Sequence, residues 1–150
     1  MNGYLCAGGG FLVAVIWMDL MFDVLALGRG SSGEVSQDSL AKIETYYRRV
    51  TTDAAPMNLL ISAVMTSIVG VLAVELFGGS GRSIAAGSLL LCGVPIGLAL
   101  GRVFPNAVRL GAAADPPAVR ASLARSIAID HLVCLSAMFA FVALRMFKAP

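Results

Sequence analysis

Two aspartates, Asp19 and Asp23, stand one helical turn apart in WMDLMFDV, inside a long apolar run. An isolated carboxylate near the bilayer centre costs about 2.5–3.5 kcal/mol on insertion scales, so each needs a partner. Other apolar runs bring candidates. GRVFPNAVRLG puts Arg102, Asn106 and Arg109 on one stripe of a helix, provided Pro105 leaves that helix intact. IAIDHLV carries Asp130 and His131, and Asn58 follows Pro56 at the start of another run. A guanidinium fork can bind a carboxylate through two charge-assisted hydrogen bonds. The expected geometry therefore turns Asp19 and Asp23 into the bundle and pairs them with Arg102 or Arg109.

The chemistry open to such a layer is binding plus proton transfer. Asp19, Asp23, Arg102, Asn106 and Arg109 would hold a polar or anionic group. His131 and Asp130 would move protons, since histidine titrates near neutral pH. The structural alternative is that these pairs only fix helix order, or that the arginines snorkel to phosphates. A metal site at Asp19 and Asp23 with His131 or Asp130 is the weaker reading. There is one histidine, and neighbouring Asp130 and His131 point about 100° apart on a helix. No metal is expected and no cofactor can be named.

The elements that must position these residues follow from composition. The 150 residues are 58% hydrophobic and 13% charged, with a mean hydropathy of +0.84. A soluble domain has about a quarter of its residues charged and too little interior to hide this much apolar surface. The surplus faces lipid, so the chain is read as one integral membrane domain, residues 1–150. A net charge of +2 with scattered basic residues excludes a nucleic-acid footprint. Cys6, Cys92 and Cys134 lie in apolar runs without C-x-x-C spacing and read as small hydrophobes. MNGYLCAGGG lacks the positive start of a cleavable signal peptide.

Four segments suit spanning helices of about 20 residues. They run over roughly residues 4–27, 57–77, 83–104 and 127–147, which predicts an all-α, four-helix transmembrane bundle. In the first connector SQDSLAKIETYYRRV predicts a short interfacial helix, with a solvated loop helix as the alternative. Ser36 or Asp38 would cap it, Leu40, Ile43, Tyr47 and Val50 recur on one face, and Tyr46 and Tyr47 would sit at headgroup level. Asp115, Pro116 and Pro117 signal the start of one helix of about 30 residues running to Phe147.

Lysine and arginine set the orientation. The connectors after spans one and three, with their flanks, hold Arg29, Lys42, Arg48, Arg49, Arg102, Arg109, Arg120 and Arg125. The other side holds Arg82, Arg145 and Lys148. Eight against three puts the long connectors in the cytoplasm and both termini outside, in a bacterial inner membrane. The polar residues then converge on the cytoplasmic half of the bilayer. Glu75 lies near the opposite face as an interface residue, and Trp17 reads as packing.

Gly93, Gly97 and Gly101 form a small-residue stripe that lets two helices approach closely in lipid. The expected partner is another helix of the same chain, with a homo-oligomer or larger complex as the alternative. Gly8, Gly9 and Gly10 are expected to loosen the outer end of the first span.

Pro105 and Asn106 at the end of the third span, with His131 entering the fourth after a connector bearing Arg120 and Arg125, resemble the anthrone-oxygenase-like family of small membrane proteins. The resemblance covers the second half of the chain. It implies oxygenation of a polycyclic phenol, with His131 as base and Asn106 beside it.

The expected function is a membrane protein with a polar pocket between its helices, binding or processing a small lipophilic or anionic ligand. The alternatives are an accessory subunit without chemistry of its own and, less favoured, a transporter component, since no inverted repeat is visible.

Overall fold

The computed structural model describes residues 1–28, 35–53, 55–78 and 81–147. Of the basic residues used for orientation, Arg29 and Lys148 lie outside them. Helix α1 covers Asn2–Leu27, α2 Gln37–Thr52, α3 Ala55–Phe77 and α4 Arg82–Leu98. A π-helical segment, Ala99–Val103, carries α4 into α5, Phe104–Ala112, and α6 covers Pro117–Phe147. Four stretches are long and apolar enough to cross a membrane: Asn2–Leu27, Pro56–Phe77, Arg82–Ala112 and Pro117–Phe147. The four-helix bundle is therefore present, with a short helix in the first connector. The third span runs through Pro105 to Ala112, beyond the expected end.

Around the bundle the order is α1, α6, α4, α3, with α3 touching α1 more lightly. Side chains of α6 pack onto the bare Gly9 backbone in the α1–α6 pair. A Cβ on Gly9 would stand 2.8 Å from a Val142 methyl and 2.9 Å from the Phe141 ring. Gly9 thus seats α6, where the sequence had suggested loosening. Gly93, Gly97 and Gly101 do not make the internal contact that was favoured for them. A Cβ on any of them would meet nothing within 4 Å, so among the described residues no helix packs closely on that stripe.

Helix α2 starts where Ser36 Oγ accepts the Ser39 N–H at 3.1 Å, the N-cap role foreseen for it. Its buried face carries Leu40, Ile43, Glu44 and Tyr47. The face is covered by α5, α1 and α6. A Cβ on Gly111 would lie 2.8 Å from the Arg48 backbone nitrogen, so α5 and α2 meet backbone to backbone. Arg48 Nε donates to the Gly111 carbonyl across this contact at 3.1 Å. Half-buried Arg120 and buried Glu44 add an ion pair of 2.5 Å between α6 and α2.

Pro105 explains the π-helical segment. It has no N–H, and its ring crowds the carbonyl four residues back. One extra residue in the turn, with the Phe104 N–H on the Ala99 carbonyl, relieves this without ending the helix. The inserted residue also turns the far part of the third span about its axis.

Two apolar clusters fill the bundle. One, at the connector end, includes Ala26, Leu40, Ile43, Leu110 and Ile127. The other, towards the termini, includes Leu5, Ile68, Leu72, Met138 and Phe141. At the terminal end Arg145, 4% exposed, is paired with Glu75 at 2.8 Å and donates to Asn2 at 2.5 Å, tying α6 to α3 and α1. Glu75 is thus the partner of a buried arginine.

Candidate functional site

Asp23 is fully buried, and its two oxygens are answered from two directions. Tyr47 Oη donates to Oδ1 at 2.6 Å from α2. His131 Nδ1 lies 2.5 Å from Oδ2 on α6. A carboxylate accepts, so Nδ1 carries the proton and the ring is held with Nε2 turned towards Asp19. Nε2 stands 3.9 Å from Asp19 Oδ2, beyond hydrogen-bond reach. Asp19 Oδ1 accepts from Tyr46 Oη. Tyr46 in turn stacks on Phe22, ring centroids 4.1 Å apart, and meets Tyr47 edge to face at 5.3 Å.

This pairing corrects the expected one. The aspartates of the first span meet tyrosines of α2 and the histidine of α6, not Arg102 or Arg109. Arg102 Nε is 3.2 Å from Asp130 Oδ2, and its guanidinium also donates to Ser126 at 3.1 Å. Arg109 pairs with Asp115 at 3.1 Å. Both arginines are more than half exposed. Asp130 and His131, adjacent in sequence, serve different partners, as their angular separation on a helix requires. Asn58 donates to the Val50 carbonyl at 3.1 Å, closing the foot of α3 onto the end of α2.

Sequence reasoning missed Tyr46 and Tyr47 as site residues. The signal was present: Tyr47 belongs to the apolar face of SQDSLAKIETYYRRV. What was lacking was that this face docks on the bundle rather than on headgroups. Burial first, then the carboxylates of Asp19 and Asp23, push both phenols well above the usual tyrosine range. They remain hydrogen-bond donors.

Beside this cluster lies a cavity of about 210 Å³ at the seam of the two apolar clusters. All four spans and α2 contribute to its walls, which include Ile16, Ile61, Met65, Ile96, Ala99 and Met138. Its polar lining is confined to Asp19, Tyr47, Thr51, Asn58 and His131. Asp23, Asp130, Arg102, Asn106 and Arg109 do not line it. The residues marked out in the sequence thus fall into three groups. Asp19 and His131 face the cavity, Asp23 holds the histidine from behind, and the third-span stripe with Asp130 lies elsewhere. Among the described residues no three His, Cys, Asp or Glu side chains are placed to hold one metal ion.

Comparison with protein families, with curated proteins and with solved structures finds no match for this chain.

Proposed function

We propose that the protein binds a small lipophilic molecule between its transmembrane helices, on the cytoplasmic side of a bacterial inner membrane. The observation that carries this reading is an apolar cavity ending on Asp19, Tyr47 and His131. Pockets for small molecules combine apolar walls with a few convergent polar groups in this way. At interior packing density near 0.74, a cavity of about 210 Å³ holds roughly 155 Å³ of ligand, one or two fused rings.

Of the two ligand classes considered, lipophilic and anionic, the first is favoured. Asp19 is the one carboxylate among the lining residues and none of them is lysine or arginine, while both arginines offered for an anion are engaged by Asp130 and Asp115 outside the cavity. Under the resemblance to the anthrone-oxygenase-like family the ligand would be a polycyclic phenol and His131 its base. His131 lines the cavity, which agrees with that role, and Asn106 does not.

Orientation rests on the excess of lysine and arginine in the long connectors, which puts both termini outside. The open stripe of Gly93, Gly97 and Gly101 supports a second reading, that of a subunit docking a further helix.

The test of the binding reading is solvent extraction of the protein purified in mild detergent, followed by mass spectrometry. A lipophilic compound should accompany the native protein and be lost from Ala99→Phe, whose ring fills the cavity. Equal amounts in both would refute a ligand at this place.

A further inference from the structure

Around the polar end of the cavity the hydroxyl donors are engaged. Tyr47 donates to Asp23, Tyr46 to Asp19, and Thr51 to the Tyr47 carbonyl at 2.7 Å. Asn58 gives an N–H to Val50. The acceptors at this end are Asp19 Oδ2 and, in the neutral tautomer that gives Nδ1–H to Asp23, His131 Nε2, while the amide of Asn58 supplies a third on the lining. No lysine or arginine is among the cavity-lining residues.

Two of these acceptors, Asp19 Oδ2 and His131 Nε2, stand 3.9 Å apart. That is too far for either to serve the other. It suits a third atom lying about 2.8 Å from each, the apex of a shallow triangle, provided that atom donates twice.

Resting on the binding reading above, we infer that the ligand's head is a protonated amine with at least two N–H groups, its body an apolar ring system. One N–H meets Asp19 Oδ2 and forms the ion pair. A second meets His131 Nε2, an acceptor in the neutral imidazole tautomer that gives Nδ1–H to Asp23. A hydroxyl head has one proton and satisfies one acceptor. A carboxylate head has none and adds a negative charge beside Asp19. Charge and proton count therefore order the three heads as ammonium, alcohol, carboxylate. The desolvated surroundings sharpen that order, since a charge-assisted hydrogen bond is stronger than a neutral one.

The test uses three naphthyl probes of one size on the full-length protein in lipid nanodiscs, with empty discs subtracted: 1-naphthylmethylamine, 1-naphthylmethanol and 1-naphthoate. Equilibrium binding of the tritiated compounds should be saturable for the amine. It should be about ten-fold or more weaker for the alcohol, the contribution of one charge-assisted hydrogen bond, and absent for naphthoate. Asp19→Asn should bring the amine down to the level of the alcohol, while Asp19→Glu keeps part of the difference. Alcohol or naphthoate binding as tightly as the amine overturns the inference and leaves the cavity reading standing. Saturable binding of none of the three removes both. The comparison among probes needs no variant, so a misfolded Asp19→Asn does not blunt it.

Discussion

His131 Nδ1 and Asp23 Oδ2, 108 positions apart in the chain, lie 2.5 Å from one another and join the last span to the first. With Tyr47 on the other carboxylate oxygen, one buried acid fastens three helices at the connector end. Because Asp23 is wholly enclosed, removing one member leaves the others without partners in a medium that does not solvate them.

Asp23→Ala should therefore be severe. A loss of about 3 kcal/mol is expected, the usual cost of breaking a buried, hydrogen-bonded charged group. Thermal unfolding in detergent would read it. Asp23→Leu combined with His131→Leu and Tyr47→Phe should recover part of the loss, since an apolar set leaves nothing unpaired. A single Asp23→Ala that melts like the native protein contradicts the arrangement.

The tyrosines give a second test. Of the three tyrosines, Tyr46 and Tyr47 have phenols raised by burial and by Asp19 and Asp23. Ultraviolet titration of the folded protein at about pH 11 should show no phenolate from these two, until unfolding releases them. The sign for stability follows from linkage. A folded value raised above the unfolded one gives a contribution complete below about pH 10, which declines as the pH rises further. Three tyrosines ionising together near pH 10 in the folded protein would contradict their placement.

Arg102 and Arg109 should separate, although the sequence puts them on one stripe. Arg102→Ala strips a buried aspartate, Asp130, of its counter-charge. Because Arg102 is itself 57% exposed, screening holds the expected loss to about 1–2 kcal/mol. Arg109→Ala breaks a solvent-screened pair and should change stability by less than about 1 kcal/mol. Neither should alter cavity binding. Urea or thermal unfolding distinguishes them, and equal effects would argue against the separate pairings.

Gly111→Leu drives a side chain into the α2 backbone at Arg48. Overpacking of this kind costs about 1–3 kcal/mol. The expected signature is selective: α2 becomes susceptible to limited proteolysis while the four spans keep their helicity by circular dichroism. Unchanged cleavage would mean that α2 does not dock there.

The bundle was legible because hydropathy depends on each residue's own chemistry, and runs of about 20 apolar residues have one common solution in lipid. The apolar face of α2 and the long α6 behind Asp115-Pro116-Pro117 were legible for the same local reason. The partners of Asp19 and Asp23 were not. Matching charges favoured Arg102 and Arg109, but the choice depends on helix rotation, and the extra residue before Pro105 turns that stripe away. Tyr46 and Tyr47 read as headgroup anchors because nothing local says whether an amphipathic helix lies on lipid or on protein. The glycine stripe was misread likewise, for small residues permit a close contact without naming its partner.

The protein has a single histidine, so selective 15N-histidine labelling gives the nitrogen spectrum of His131 alone. The account predicts one tautomer, with Nδ1 protonated and strongly hydrogen-bonded, and a shift confined to Nε2 when 1-naphthylmethylamine is added in nanodiscs. A mixture of freely exchanging tautomers, or a spectrum indifferent to a probe that binds, would contradict it.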